Sequence, residues 1–254
     1  MESAKDNSIF VLDRGNTLLK TALFQQHNIL NVRRFNRLSG DELNLLIDEL
    51  ELEYAINIKY SIVSSVVTQN KELFFTLKQR TQFIELNHKT VLPFNNLYRT
   101  PESLGKDRIA AVAGASTLFP DSDLLIIDAG TCITFDFISQ NKEYYGGAIS
   151  PGINLRFKAL HNFTGNPPLI QPIEETNLIG NSTENSILSG VINGVREEVD
   201  GIIERYKSSY PEVKVIFTGG DIKYFDKYVK NNIFAVDNLV LKGLKDILLY
   251  NVKK

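Results

Sequence analysis

The chain has very few of the residues that build covalent cross-links or metal centres. Cys132 is the single cysteine among 254 residues, which excludes an intramolecular disulfide and a cysteine-based zinc site within this sequence. The three histidines are scattered and show no H-E-x-x-H spacing. The G-x-S-x-G sequence of serine hydrolases does not occur. The sequence therefore gives no support to a zinc enzyme, a disulfide-stabilised protein or a serine hydrolase.

A large excess of charge of one sign is also lacking. The chain carries 28 basic and 30 acidic residues, with a formal net charge of -2 and a pI near 6.0. This balance gives no broad reason to expect nucleic acid or an anionic membrane as a partner. Residues Met1–Asn7 are polar, and the apolar run after them is interrupted at Asp13, too early for a signal peptide or a membrane span. We expect a cytoplasmic protein.

The strongest internal signal is a similarity between Ile9–Phe24 and Leu124–Ile138. Each segment is an apolar strand that ends in aspartate, continues with glycine and threonine, and leads into a second β-like run. The glycines lie where a tight turn is needed, so each segment predicts two antiparallel strands with an acidic residue beside the bend.

Downstream of each hairpin, a similar pair of elements follows. Gly40–Leu52 and Gly190–Tyr206 have apolar residues at helical spacing, and Tyr60–Val67 and Val213–Asp221 are typical of buried strands that end in small residues. The pattern predicts an α/β fold made twice, with two domains facing one cleft. We place the boundary in the loop before the second hairpin, which gives domains 1–117 and 118–254.

The segment Asp13–Thr17 brings a carboxylate, backbone N–H groups and a hydroxyl around one point, which suits a metal-bound triphosphate. The Asp13 carboxylate would hold Mg²⁺ directly or through water, and Lys20 could add positive charge. Alone, the same pattern describes a hairpin whose aspartate caps its own turn. Its repetition at Asp128–Thr131 favours phosphate binding.

Three further segments have both a structural and a functional interpretation. Asp107 and Arg108 come near the start of a predicted helix, where they are either an N-terminal helix charge with a solvated neighbour or part of a site. The glycines of Tyr145–Leu160 allow close backbone approach, which is useful for packing or for a ligand. Thr183 resembles a helix cap.

Together these segments resemble the type III pantothenate kinase family. The signatures D-x-G-N-T-x-x-K, Y-x-x-P-x-x-L-G-x-D-R-x-A-A, D-x-G-T-x-x-T-x-D and G-G-x-I-x-P-G occur in that order at Asp13–Lys20, Tyr98–Ala111, Asp128–Asp136 and Gly146–Gly152. Each is weak alone, but four in order make a specific match. The resemblance implies duplicated RNase H-like domains of the actin-like ATPase kind, with mixed sheets flanked by helices and a nucleotide cleft between the domains. It also implies ATP-dependent phosphorylation of pantothenate to 4'-phosphopantothenate, the first step of coenzyme A biosynthesis.

The resemblance further implies roles for individual residues. The residues expected to bind ATP are Asp13, Arg14, Gly15, Asn16, Thr17, Leu18, Leu19, Lys20 and Thr131. Those expected to bind pantothenate are Tyr98, Gly105, Lys106, Asp107, Arg108 and Thr183. Asp107 would be the general base, and Thr183 would reach the substrate from the partner subunit of a homodimer. Asp128 would help to hold a monovalent cation, K⁺ or NH₄⁺, used alongside Mg²⁺.

Two alternatives stay open at this point. Another actin-like phosphotransferase, such as a sugar or acetate kinase or a polyphosphate hydrolase, would share the acidic hairpins but has no reason to carry Gly105–Arg108 after Tyr98. A non-catalytic, nucleotide-binding transcription accessory factor could keep the cleft and lose the base, yet Asp107 is retained. The chain departs from the family pattern at Arg14, where a small or β-branched apolar residue is usual, and at Cys132, where alanine is common.

Overall fold

The protein contains two α/β units, each built around a mixed β-sheet. A computed structural model describes residues 8–15, 18–65, 71–165 and 168–252. The strands are β1 Ser8–Arg14, β2 Leu19–Gln25, β3 Asn28–Phe35, β4 Ile58–Ser65, β5 Gln82–Glu85, β6 Asn95–Asn96, β7 Leu124–Ala129, β8 Cys132–Ile138, β9 Glu143–Pro151, β10 Lys214–Thr218 and β11 Phe234–Ala235. The α-helices are α1 Gly40–Tyr54, α2 Lys71–Arg80, α3 Lys106–Leu118, α4 Ile153–Phe163, α5 Thr183–Ser209 and α6 Leu239–Val252.

The first sheet has the strand order β3-β2-β1-β4-β5. Strands β1, β2 and β3 are antiparallel neighbours, whereas β4 pairs in parallel with β1 and with β5. Alternate residues of β1, Phe10 and Leu12, join the core formed with α1 and α2, as the period of two in a strand requires. The predicted first hairpin is confirmed.

Helix α1 shows why these residues form a helix. Ser39 and Glu42 form a capping box at its start, in which each side chain accepts a hydrogen bond from the backbone N–H of the other residue. Leu43 and Ile47 lie one turn apart and are fully buried against the sheet. The helix ends at Ala55, whose φ of 51° is left-handed.

The second unit repeats the topology of the first. Its strands follow the order β11-β10-β7-β8-β9, in which β7, β8 and β9 are antiparallel neighbours and β10 is parallel to β7 and β11. Helices α4 and α5 cover one face, where Ile192, Val195 and Val199 of α5 pack on apolar residues of β7 and β8. The prediction of a strand and helix fold made twice is confirmed.

The C-terminal helix corrects one part of the predicted domain organisation. Contacts divide the chain into one unit that runs to Thr117 and resumes at Leu239, and a second unit, Leu118–Asn238. Helix α6 therefore packs on β1, β2 and β4 of the first unit, whereas the sequence prediction placed residues 118–254 in one domain. No element was predicted from the sequence after Val213–Asp221, and helical periodicity does not specify which sheet covers a helix.

Helices α3 and α6 cross with direct backbone contact inside the first unit. A Cβ atom at Gly243 of α6 would lie 1.7 Å from the carbonyl oxygen of Ala110 and 2.8 Å from the nitrogen of Gly114, both in α3. Only glycine fits at this crossing. The position of α3 is therefore tied to α6 and, through α6, to the sheet.

In the described part of the chain, no helix combines the length and the apolar character needed to cross a membrane.

Candidate active site

The first acidic residue, Asp13, lies at the carboxyl end of β1. Its neighbours across the sheet are Lys20 on β2 and Ser64 on β4, so a carboxylate, an ammonium group and a hydroxyl share one row on one face. Ligands of open α/β sheets bind at this edge, outside the carboxyl ends of parallel strands. The Ser64 Oγ atom is buried and has no hydrogen-bond partner among the described residues. The row therefore combines the groups that a Mg²⁺-bound phosphate needs.

The predicted ATP loop after Asp13 is described in part. Gly15 donates its N–H to the Leu18 carbonyl at 3.1 Å and so closes the turn between β1 and β2. Asn16 and Thr17 lie outside the described residues. Leu19 is only 3% exposed and belongs to the core, so its contact with ATP would have to come from its backbone.

The predicted general base, Asp107, is exposed in the first turn of α3. Its Oδ1 atom accepts a hydrogen bond from the Arg108 N–H at 2.9 Å, which fixes the orientation of the carboxylate. A Cβ atom at Gly105 would lie 2.6 Å from this oxygen, so a side chain there would force the Asp107 carboxylate to move. An exposed carboxylate with a fixed orientation is able to accept a proton from a bound hydroxyl group.

Arg108 corrects the interpretation of this residue as a solvated neighbour of Asp107. It is 5% exposed, and its guanidinium group lies 5.6 Å from the centre of the Tyr98 ring. The backbone of Tyr98 is held in turn by its N–H bond to Asn96 Oδ1 at 3.0 Å. The structure thus brings two of the predicted pantothenate-binding residues together, with the buried Arg108 cation beside the Tyr98 ring.

Glu85 is a candidate that sequence reasoning missed. It ends β5, at the same edge of the sheet as Asp13, and its Oε1 atom lies 3.9 Å from Lys106 Nζ. The Glu85 carbonyl is held by Asn87 Nδ2 at 3.0 Å and by Thr90 Oγ1 at 3.3 Å. The strand end was visible in the sequence, but the pairing with Lys106 depends on tertiary structure.

The second acidic residue, Asp128, occupies the position in β7 that Asp13 occupies in β1. Its neighbours across the sheet are Thr134 on β8 and Thr218 on β10. The turn after it is closed by the Gly130 N–H, which donates to the Cys132 carbonyl at 2.9 Å, and it leaves Thr131 exposed. The exposed threonine hydroxyl is able to donate a hydrogen bond to an anion.

Two turns that contain glycine pack closely against the backbone of this second hairpin. A Cβ atom at Gly152, which precedes α4, would lie 2.1 Å from the Gly130 carbonyl oxygen. A Cβ atom at Gly219, which follows β10 with φ of +104°, would lie 2.1 Å from the Ala129 carbonyl oxygen. The same oxygen accepts the Asp221 N–H at 3.0 Å. Backbone contacts therefore hold the hairpin, and they leave no room for a side chain at Gly152 or Gly219.

The segment Gly219–Asp221 carries no assigned role in the sequence prediction, although the strand and glycines before Asp221 were recognised. Burial raises the pKa of the Asp221 carboxyl group above its ordinary value, and nearby Lys223 opposes that rise. A partly buried carboxyl group beside the hairpin marks this turn as a candidate part of the site.

No cluster of three or more acidic, histidine or cysteine side chains in the described residues could hold a metal ion by itself. Asp13 and Asp128 each offer one carboxylate at a strand end. This donor set fits cations that also take oxygen ligands from a bound phosphate or from backbone carbonyls, as Mg²⁺ and K⁺ do.

Thr183 is the first residue of α5 and not its cap, which corrects the sequence interpretation. The cap is Ser182, whose Oγ atom accepts the Asn185 N–H at 3.2 Å. Helix α5 was predicted from Gly190, because its first residues are polar and exposed and lack apolar periodicity. The exposed Thr183 lines a groove of about 850 Å³ between α4 and α5, together with Arg156, Ala159, Leu160, Ser186, Ile187, Gly190 and Val191.

Comparison with known proteins agrees with these features. The family model described as type III pantothenate kinase matches residues 9–205. The type III pantothenate kinase of Christiangramia forsetii is 45% identical over 241 residues, covering 95% of this chain and 98% of the relative. That of Phocaeicola vulgatus is 43% identical over 244 residues, covering 96% and 98%.

Solved structures support the fold. A protein from Campylobacter jejuni described as a conserved putative Baf family transcriptional activator superimposes with a TM-score of 0.59 at 23% identity, covering 96% of this chain and all of that one. A putative N-acetylmannosamine kinase from Listeria monocytogenes gives a TM-score of 0.51 at 14% identity, covering 96% and 99%. The similarity over nearly the full length of the curated relatives, with the predicted residues at strand ends and a helix start, means that this chain belongs to the type III pantothenate kinase family.

Proposed function

We propose that this protein transfers the terminal phosphate of ATP to the primary hydroxyl group of pantothenate and so makes 4'-phosphopantothenate for coenzyme A biosynthesis. The observation that carries the proposal is the group at the start of α3, where Asp107 is exposed and oriented and Arg108 is buried against Tyr98. A sugar kinase with two acidic hairpins has no reason to carry this group.

In the proposed reaction, Asp107 accepts the proton of the pantothenate hydroxyl group as its oxygen bonds to the terminal phosphorus of ATP. The bond between that phosphorus and the bridging oxygen breaks, and ADP leaves with the electron pair. A positioned base of this kind contributes about 10²–10⁴ in rate. Arg108 supplies a permanently charged planar fork for the substrate carboxylate or a phosphate oxygen, and Gly105, Lys106 and Tyr98 complete the pantothenate site.

The two hairpins are proposed to bind ATP. The loop from Asp13 to Lys20 and the hydroxyl of Thr131 would contact the phosphates, and the Asp13 carboxylate would hold Mg²⁺ with them. The Asp128 carboxylate would help to hold K⁺ or NH₄⁺. These cations would neutralise the charge of the phosphates, and the residues of this chain would fix the positions of the cations. We infer that the unit formed by residues 1–117 together with α6, and the unit formed by residues 118–238, are the two domains that contact the nucleotide.

The groove between α4 and α5 is proposed to be covered by a second copy of the chain. It is lined by apolar residues including Leu160, Ile187 and Val191, and Leu178 and Ile179 before α5 are each 82% exposed. Exposed apolar patches of this kind mark interaction sites. Thr183 lies on this groove, so a homodimer that closes here would place Thr183 at the interface, from which we propose that it reaches the partner's substrate.

The first test combines ATP, Mg²⁺ and pantothenate with the purified protein, in K⁺, NH₄⁺ or Na⁺ buffer, and follows products by mass spectrometry. Phosphopantothenate that requires K⁺ or NH₄⁺ is the expected result. ADP without phosphopantothenate would point to another acceptor, and no reaction from folded protein would favour a regulatory role.

The second test replaces the proposed base. Asp107→Asn should keep pantothenate binding and lose most turnover, by about 10²–10⁴. Asp41→Asn is the matched control, because Asp41 is likewise an exposed aspartate in the first turn of a helix. Near-normal turnover of the Asp107 variant would remove the base from the mechanism.

Since ATP and pantothenate are both small soluble molecules and the chain is weakly acidic, we infer a cytoplasmic enzyme that needs neither membrane nor nucleic acid.

A further inference from the structure

Arg196 is a buried charged residue of the second unit that the proposed mechanism does not use. It lies on α5 and is 6% exposed. Its Nε–H donates to the Tyr224 carbonyl at 2.8 Å, and a terminal N–H donates to the Glu174 carbonyl. Its guanidinium carbon lies 3.4 Å from the centre of the Tyr228 ring. One side chain therefore joins three separate parts of the unit.

The environment of Arg196 is costly for a cation. Burial lowers the pKa of its guanidinium group, although arginine stays protonated in proteins. Its partners are two backbone carbonyls and the side chain of Tyr228, not a carboxylate that would offset the loss of water. A buried charge satisfied in this way fixes one arrangement of the segments around it, because any other arrangement leaves donors unpaired.

A short chain of hydrogen bonds leads from Arg196 to the second acidic hairpin. The Tyr224 carbonyl accepts from Arg196, and the Tyr224 N–H donates to the Asp221 carbonyl at 3.0 Å. The Asp221 N–H donates to the Ala129 carbonyl at 3.0 Å, and Ala129 follows Asp128 directly. The turn that supports Asp128 and Thr131 is therefore anchored on α5 by Arg196.

The same helix holds the rest of this segment with a second polar residue. Asp200, one turn after Arg196 and also 6% exposed, accepts the Lys230 N–H at 3.0 Å and a bond from Asn231 Nδ2 at 3.4 Å. These contacts fall at the far end of the segment, beyond the residues that contact the hairpin. Asp200 is thus a matched neighbour with a structural role and no direct link to Ala129.

We propose that Arg196 is a positioning residue for nucleotide binding, which holds the turn at Asp221 against the Asp128–Thr131 hairpin and so sets the geometry of its phosphate-binding groups. The inference rests on the proposed function, in which this hairpin contacts ATP. Arg196 lies outside the four family signatures, and the inference gives it an effect on the binding of ATP. It gives Arg196 no effect on the binding of pantothenate, whose predicted site lies at the start of α3.

The test compares Arg196→Met, which keeps an unbranched apolar stem and removes all the donors, with Asp200→Asn. Arg196→Met should raise the dissociation constant of MgATP, measured by titration calorimetry, about tenfold, because bonds from a charged donor are lost. KM for pantothenate should stay unchanged, and exchange of the Asp221 amide hydrogen should accelerate. Asp200→Asn should lower the melting temperature without changing MgATP binding.

Arg196→Lys provides a second variant if the methionine variant does not fold. A lysine ammonium group cannot reproduce the planar fork that reaches two carbonyls, so an intermediate loss of MgATP affinity is expected. Unchanged MgATP affinity in a folded variant, or an equal loss in Asp200→Asn, would overturn the inference. An unmodified protein that binds MgATP without phosphorylating pantothenate would refute the proposed function, while the binding comparison would still decide the role of Arg196.

Discussion

The contact between α3 and α6 makes a specific prediction about turnover. In Gly243→Ala, the new Cβ atom would start 1.7 Å from the Ala110 carbonyl oxygen, whereas an ordinary contact begins at 3.4 Å. The two helices would have to separate by roughly that difference, because both neighbouring atoms belong to backbone. Helix α3 carries Asp107 in its first turn, and a misplacement of about 1 Å costs about 10²-fold in rate. We therefore expect kcat to fall about 100-fold, with a loss of about 1–3 kcal/mol in the free energy of unfolding from overpacking.

The assay is steady-state phosphopantothenate formation, with urea denaturation of the same preparations. Gly201→Ala is the matched control, because Gly201 is also helical and a Cβ atom there meets nothing within 4 Å. That control should gain up to about 1 kcal/mol from helix propensity and keep its kcat. A folded Gly243→Ala protein with unchanged kcat would refute the idea that the α3 and α6 crossing positions Asp107.

Three further predictions concern stability and assembly. Because burial raises the pKa of Asp221 in the folded state, its ionised form destabilises the fold, so Asp221→Asn should have a higher melting temperature than the parent protein at pH 7. Melting curves recorded at a series of pH values should show this difference shrinking as the pH falls and vanishing below 3.8, the pKa of the unfolded state. Tyr144→Phe removes a 2.6 Å hydrogen bond to the buried Asp136 carboxylate, and urea denaturation should show a loss of about 1–3 kcal/mol. Ile187→Glu in the α4 and α5 groove should yield monomers of low activity in sedimentation and turnover measurements, whereas Leu52→Glu, on the 85% exposed side of α1, should leave both unchanged.

Local patterns predicted much of this fold. Both hairpins could be located because an apolar strand ending in aspartate and a glycine turn are signals contained within a few residues. The helix at Asp107 followed from the same kind of local evidence. The predicted start of α5 was wrong because its first turn is polar. A helical turn without apolar residues gives no periodic signal, and in α5 the apolar residues begin only at Ile187.

The sequence could not predict burial and contacts that depend on residues far apart in the chain. Arginine is rarely buried, so the burial of Arg108 follows only from the packing of α3 beside Tyr98. The support that Asp221 gives to Ala129 joins residues far apart in the chain. Likewise, no element was predicted at α6, and its packing on β1 and β4 is a contact between residues far apart in the chain.

The placement of α6 has a consequence for the order in which a ribosome-bound chain acquires structure. The second unit is continuous from Leu118 to Asn238 and can assemble its core as soon as those residues have emerged. The first unit is translated earlier, yet it lacks the helix that covers β1 and β4 until Leu239–Val252 has been synthesised. The half of the protein made first is therefore completed last, and a chain that stops before Leu239 would leave an apolar sheet face uncovered.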